Sequence, residues 1–125
     1  MLTLSVLPER LGICRLSPND DLPAWITESS FLSITRTSEE LSIVCVEQVI
    51  PEGTTSEKGW RCLKVHGPLD FSLTGILSSL LYPLAKANIS VFALSTYDTD
   101  YLLVKETDLE RAKAILIEEG HKVFG

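Results

Sequence analysis

The run Ile89-Ser90-Val91-Phe92-Ala93-Leu94-Ser95-Thr96-Tyr97-Asp98-Thr99-Asp100-Tyr101-Leu102-Leu103-Val104 decides the fold. Its two ends are apolar and of strand length. Its middle, Ser95 to Asp100, carries hydroxyls, carboxylates and one tyrosine suited to a turn. The segment reads as a β-hairpin with a polar tip, and a helix is expected on each side of it. Upstream, Ile76, Leu77, Leu80, Leu81, Leu84 and Ala85 keep one broad helical face, with Thr74 as the expected N-cap. Pro83 falls inside that helix, where a proline costs about 3 kcal/mol and predicts a kink or a tightened last turn. Downstream, Thr107-Asp108-Leu109-Glu110 has the form of a capping box, opening a helix whose core face is Leu109, Ala112, Ile115 and Leu116. Gly120 stops it.

Working outward, Trp60-Arg61-Cys62-Leu63-Lys64-Val65 alternates like a strand closed by His66-Gly67-Pro68, and His121 to Phe124 offers a last strand. The order is β-α-β-β-α-β, the split ferredoxin-like pattern: an α+β fold with a four-stranded antiparallel sheet and two helices on one face. The first half reads as a reduced version of it. Leu2, Leu4 and Val6 predict a strand, Pro8-Glu9-Arg10 a turn, and Leu11 and Ile13 a second strand. A short helix is expected over Leu22 to Thr27 with Asp21 as its cap. Phe31 to Thr37 and Leu41 to Val46 form a hairpin, and Pro51 to Gly59 has linker composition. The expected division is 1–58 and 59–125.

Composition narrows the function. The chain has 125 residues, 17 acids, 11 bases and a net charge of −6. Residues 1–58 hold nine acids and four bases, and residues 59–125 hold eight and seven, so the acidity lies mostly in the first half. Nucleic acid is not expected as a partner, because such binders need a basic stripe to displace phosphate counterions. No uncharged stretch is long enough to span a bilayer, the N-terminus lacks a basic leader, and Cys14, Cys45 and Cys62 read as buried free thiols, so a cytoplasmic location is expected. No close cysteine pair or His-Glu-x-x-His suggests a metal, no glycine-rich phosphate loop suggests a nucleotide, and Asp98-Thr99-Asp100 lacks the rest of a calcium loop. No cofactor, metal site or catalytic residue is expected, and the chain does not read as an enzyme.

Two segments carry chemistry that pairing and packing do not require. Leu69 to Ile76 runs into a helix N-terminus, where free N–H groups and the helix dipole suit a carboxylate, and Gly75 permits close backbone approach. Ser95 to Asp100 could receive an ammonium or guanidinium group, with Asp98 or Asp100 as counter-charge. Each also has a plain structural reading, as a cap and as a turn. Together they offer an anion-binding and a cation-binding pole, and an amino acid has both charges.

Gly59 to Val65, Gly67 to Ile76, Pro83-Leu84-Ala85 and above all Ser95-Thr96-Tyr97-Asp98-Thr99-Asp100-Tyr101 resemble the small stand-alone ACT-domain proteins, relatives of the regulatory ACT modules of aspartate kinase and of the CASTOR arginine sensors. The resemblance extends over essentially the whole chain. It implies two tandem ACT-like units, a homodimer, and an amino acid held at an interface between ACT units. The ligand residues it implies are Leu73, Thr74, Gly75 and Ile76 together with Ser95, Thr96, Tyr97, Asp98, Thr99 and Asp100. The kinase domain of aspartate kinase is absent. The expected function is a non-catalytic regulatory module that binds a small amino acid, a basic one being favoured by the two aspartates, and signals through its oligomer or a regulated protein partner. The alternative is a purely structural dimerisation or protein-interaction module without a ligand.

Overall fold

The computed structural model describes residues 1–67, 69 and 74–125. In chain order its elements are β1 (Thr3–Leu16), a 3-10 turn (Ala24–Glu28), β2 (Leu32–Arg36), β3 (Leu41–Val46), a second 3-10 turn (Glu47–Val49) and β4 (Ser56–Val65). There follow α1 (Ile76–Lys86), β5 (Val91–Ser95), β6 (Asp100–Lys105), a third 3-10 turn (Glu106–Asp108), α2 (Leu109–Glu118) and β7 (Lys122–Phe124). The chain forms two compact units. The larger comprises Met1–Pro8 and Arg61–Gly125, and the smaller Glu9–Trp60. The expected division assigned Met1–Pro8 to the first unit; here this segment belongs with the second.

In the larger unit the strands lie in the order β7-β1-β4-β6-β5. A split βαββαβ sheet would place β7 beside β4. The start of β1 lies between them instead, pairing parallel with β7 through Thr3–Lys122, Leu4–Val123 and Ser5–Phe124. The expected four-stranded sheet is therefore five-stranded here, and one of its pairings is parallel. The hairpin is as read: β5 and β6 pair antiparallel from Val91–Val104 to Ser95–Asp100. One face of this sheet supplies Leu4, Leu63, Val65, Leu102 and Val104 to a core closed by Leu80 and Leu84 of α1 and Leu109, Ala112 and Leu116 of α2. Both helices thus cover the same face.

The helix ends differ from the sequence reading. The residue before α1 is Gly75, at φ 75°, and no side chain caps the helix, so Thr74 is not its N-cap. At the second helix the chain makes the 3-10 turn Glu106–Asp108 first. Asp108 becomes the N-cap residue without a side-chain bond, and the Thr107 capping box does not form. Pro83 lies inside α1 as expected. It leaves Ser79 without the usual donor four residues on, and the helix closes just beyond with Asn88 at φ 60° and Ile89 N–H donating to the Leu84 carbonyl at 3.0 Å.

The smaller unit repeats the same order, strand, turn, strand, strand, turn, strand, with each helix reduced to 3-10. Its strands run β2-β3-β1-β4, again the split arrangement. Leu11–Val46 through Leu16–Leu41 set the β1–β3 register, and Leu32–Cys45 through Arg36–Leu41 that of β2–β3. Cys14, Leu41, Ile43 and Cys45 of the sheet pack with Ile26 and Ile50.

Three sequence expectations give way here. Pro8 does not make a turn, since β1 is one strand of 14 residues. Its registers with β7 and β3 end at Ser5 and begin at Leu11, so the proline, which has no N–H to give, falls where neither strand pairs. Likewise Pro51 to Gly59 is not a linker. Its second half begins β4, and Gly59, at φ 82°, donates its N–H to Glu47 Oε1 at 3.0 Å. A single 3-10 turn, Ala24–Glu28, also stands in place of the helix expected over Leu22 to Thr27, with Pro23 rather than Asp21 at its start.

Candidate functional site

The hairpin tip is closed by its own hydroxyls. Thr96 N–H donates to the Thr99 carbonyl at 2.8 Å, Thr96 Oγ1 donates to the same carbonyl at 3.1 Å, and Thr99 N–H donates to Thr96 Oγ1 at 3.3 Å. Ser95 Oγ donates to Asp100 Oδ1 at 2.6 Å, a short charge-assisted bond. Thr99 is only 4% exposed, and its Oγ1 donates to the Val65 carbonyl at 2.6 Å. By contrast Tyr97, 82% exposed, and Asp98 stand on the outside of the turn.

The second segment meets this tip within the same chain. Leu69 N–H donates to the Asp98 carbonyl at 2.7 Å. Gly67 permits the approach: a Cβ there would lie 3.1 Å from Thr99 Cβ, a tight contact, and 2.9 Å from the Asp98 carbonyl oxygen, closer than real Cβ atoms come. The contacts joining the two segments thus come from Gly67 and Leu69, residues that strand and helix periodicity did not single out. The one sequence signal for them is a glycine placed two residues past a strand end.

Of the expected carboxylate-binding residues, Leu73 lies outside the described residues. Thr74 and Gly75 are exposed at the start of α1, and Ile76 is its first residue and half-buried. No acidic side chain occupies the first turn of α1, so the positive end of its dipole is not neutralised from within the helix. The hydrogen bond between the two segments is made by Leu69, at the far end of its segment from Thr74, Gly75 and Ile76. The arrangement can therefore offer backbone N–H groups on one segment and the Asp98 and Asp100 carboxylates on the other.

Elsewhere, Ser5 Oγ and His66 Nε2 are 2.5 Å apart, and His66 stacks on Phe124 with ring centres 6.4 Å apart. A groove of about 180 Å³ separates the ends of α1 and α2, lined by Tyr82, Pro83, Lys86, Ile115, Glu118 and Glu119. Burial pushes the Cys45 thiol up to about 12, with Cys14 beside it adding to the rise, and burial raises Cys14 as well. All three cysteines are buried, and none is joined in a disulfide. Among the described residues no cluster of side chains could hold a metal, and no helix is long and apolar enough to cross a membrane.

A family model described as an ACT domain matches residues 55–118. The chain belongs to the ACT-domain family. A second model, of an N-terminal domain, matches residues 9–53. This ACT protein is 40% identical over 96 residues to human (Homo sapiens) CASTOR3P, covering 66% of this chain and 59% of that one. To the bovine (Bos taurus) cytosolic arginine sensor for mTORC1 subunit 1 it is 36% identical over 90 residues, covering 63% of this chain and 27% of the sensor. The chain thus spans less than two thirds of the length of these relatives. Among solved structures, protein Atu0741 from Agobacterium tumefaciens superposes with a TM-score of 0.92 at 42% identity, over 98% of this chain and 92% of that one. The ligand-free regulatory subunit of aspartate kinase from Thermus thermophilus shares the fold, with a TM-score of 0.66 at 10% identity over 95% and 99% of the two chains.

Proposed function

We propose that this ACT protein is a non-catalytic regulatory module that binds a small amino acid at the start of α1 and the β5–β6 tip. One observation supports this reading above the others. The two segments with opposite charge preference are joined in one chain by the 2.7 Å Leu69–Asp98 bond, and the Asp98 side chain remains exposed beside it. In this reading Leu73, Thr74, Gly75 and Ile76 offer amides to the ligand carboxylate, and Asp98 or Asp100 receives its cationic group. Ser95, Thr96, Tyr97 and Thr99 frame the tip. The relatives include a protein named as an arginine sensor, which supports a basic amino acid as the first choice.

The mechanism is differential affinity. A ligand bridging ACT units favours whichever arrangement of those units binds it better, and that shift is the signal. The organisation proposed is tandem, with ACT-like units dividing near residue 58 and Met1–Pro8 serving the second. A homodimer, a regulated protein partner and a cytoplasmic location complete the proposal.

Calorimetry of the chain against the twenty amino acids tests it, with Asp100→Ala as control. Binding of arginine or lysine that the control abolishes is expected; flat traces throughout would overturn the sensor reading. One observation favours the rival structural module: Ser95 and Thr96 already spend their hydroxyls on the tip itself, and Thr99 spends its own on the Val65 carbonyl. That rival predicts no thermal shift with any amino acid.

A further inference from the structure

The sensor reading treats the tip and the loop before α1 as two surfaces that a ligand touches. We infer that Thr99 and Gly67 are positioning residues that latch the tip to the end of β4 and to Leu69 beyond it, so that a ligand engaging the tip also moves Leu69. The inference rests on the proposed function for its ligand, but the latch itself is tested without one.

Three features build the latch. Thr99 is the buried hydroxyl of the tip, and its bond runs to Val65, the last residue of β4, rather than to its own hairpin. Gly67, two residues on, brings the chain to the Asp98 carbonyl at a spacing that no side chain would permit. Leu69 then closes the contact through its N–H. Both bonds flank the Asp98–Thr99 peptide, so a ligand that shifts this peptide on binding must either carry Leu69 with it or break a hydrogen bond. Breaking is disfavoured at Thr99, because the Val65 carbonyl would be left without this donor in a buried place. Thr99 therefore serves the site through backbone placement and does not itself face the ligand.

Amide hydrogen exchange followed by NMR on the full chain tests this, first with no ligand and then with L-arginine as probe. In the wild type the Leu69 amide is expected to be protected. Thr99→Val, which keeps the shape and removes the donor, should speed its exchange about tenfold or more, and Thr99→Ser should restore the wild-type rate. Amides of α2 serve as the control and should not change. If Thr99→Val fails to fold, Gly67→Ala probes the same latch from the other side and should also expose Leu69. An unprotected Leu69 in the wild type, or one indifferent to both substitutions, overturns the latch whatever arginine does. Arginine binding is expected to slow Leu69 exchange further; binding that leaves Leu69 unchanged overturns the transmission. A flat arginine titration with a protected, Thr99-dependent Leu69 counts against the ligand alone and upholds the latch.

Discussion

The backbone N–H of Leu2 donates to His121 Nδ1 at 3.0 Å, and Lys122 N–H returns a 2.9 Å bond to the Leu2 carbonyl. These two bonds fasten the first residues of the chain to the start of β7, at the point where α2 has just ended on Gly120. They show why Met1–Pro8 folds with residues that follow it by more than a hundred positions. His121→Phe keeps a ring of similar size but removes the acceptor. It is expected to lower stability by about 1 kcal/mol, within the usual range for a part-buried hydrogen bond. The urea midpoint should fall with an unchanged slope.

A chain beginning at residue 59 is expected to fold poorly, although it contains the whole βαββαβ order. It lacks Leu4, which is fully buried between the sheet and the helices, and Leu2 and Val6, which pack beside it. It also exposes the edges of β4 and β7 that β1 covers. Circular dichroism and denaturation of this fragment should show a broad, weak transition. Within the full chain, Leu4→Ala should cost about 2–5 kcal/mol. A stable, cooperative 59–125 fragment would show that the β1 segment is dispensable.

The buried thiols give the protein an alkaline limit. Cys45 is held up to about 12 by burial and by Cys14 beside it, and Cys14 is raised too. In the unfolded chain an ordinary thiol ionises near 8.5. Between that value and 12 the folded state retains protons that the unfolded state releases, so stability is full below about pH 8.5 and falls as pH rises. Unfolding midpoints measured from pH 7.5 to 11 should fall across this window, and Cys45→Ala should flatten part of the fall. For the same reason, neither thiol should react with iodoacetamide at pH 7.5 until denaturant is added.

What the sequence made legible follows from the range of each signal. The βαββαβ order, the β5–β6 hairpin and the core face of α2 rest on local periodicity, and each stands where it was read. The insertion of β1 between β4 and β7 depends on pairing between Thr3–Ser5 and Lys122–Phe124, for which no local pattern exists. Pro8 misled because proline is common in turns, yet a strand tolerates it at a position that neither β3 nor β7 pairs. Thr74 and Thr107 have good capping chemistry. The chain enters α1 through a left-handed glycine and α2 through a 3-10 turn, so neither hydroxyl makes a cap bond. At the site, the tip was visible in its composition. The contact that Gly67 and Leu69 make with it was not, because a close approach between residues about thirty apart leaves only one glycine as its trace.

Gly75 offers a way to separate backbone conformation from space at the entrance to α1. Its φ is 75°, and a Cβ placed there would meet nothing within 4 Å. Substitution is therefore opposed by conformation alone. Gly75→Ala is expected to cost about 1–2 kcal/mol, the usual penalty for an ordinary residue in the left-handed region, and Gly75→Asn less, because asparagine tolerates that region. Thermal or chemical denaturation of both variants checks the ranking. If the open space in front of Gly75 is where a ligand carboxylate approaches, both variants should also weaken amino-acid binding, and Asn should weaken it despite its smaller cost in stability. If stability alone is affected, binding should follow the stability order, with Asn close to wild type. Calorimetry on the two variants decides between these outcomes, because a side chain that is tolerated by the fold can still occupy the ligand's path.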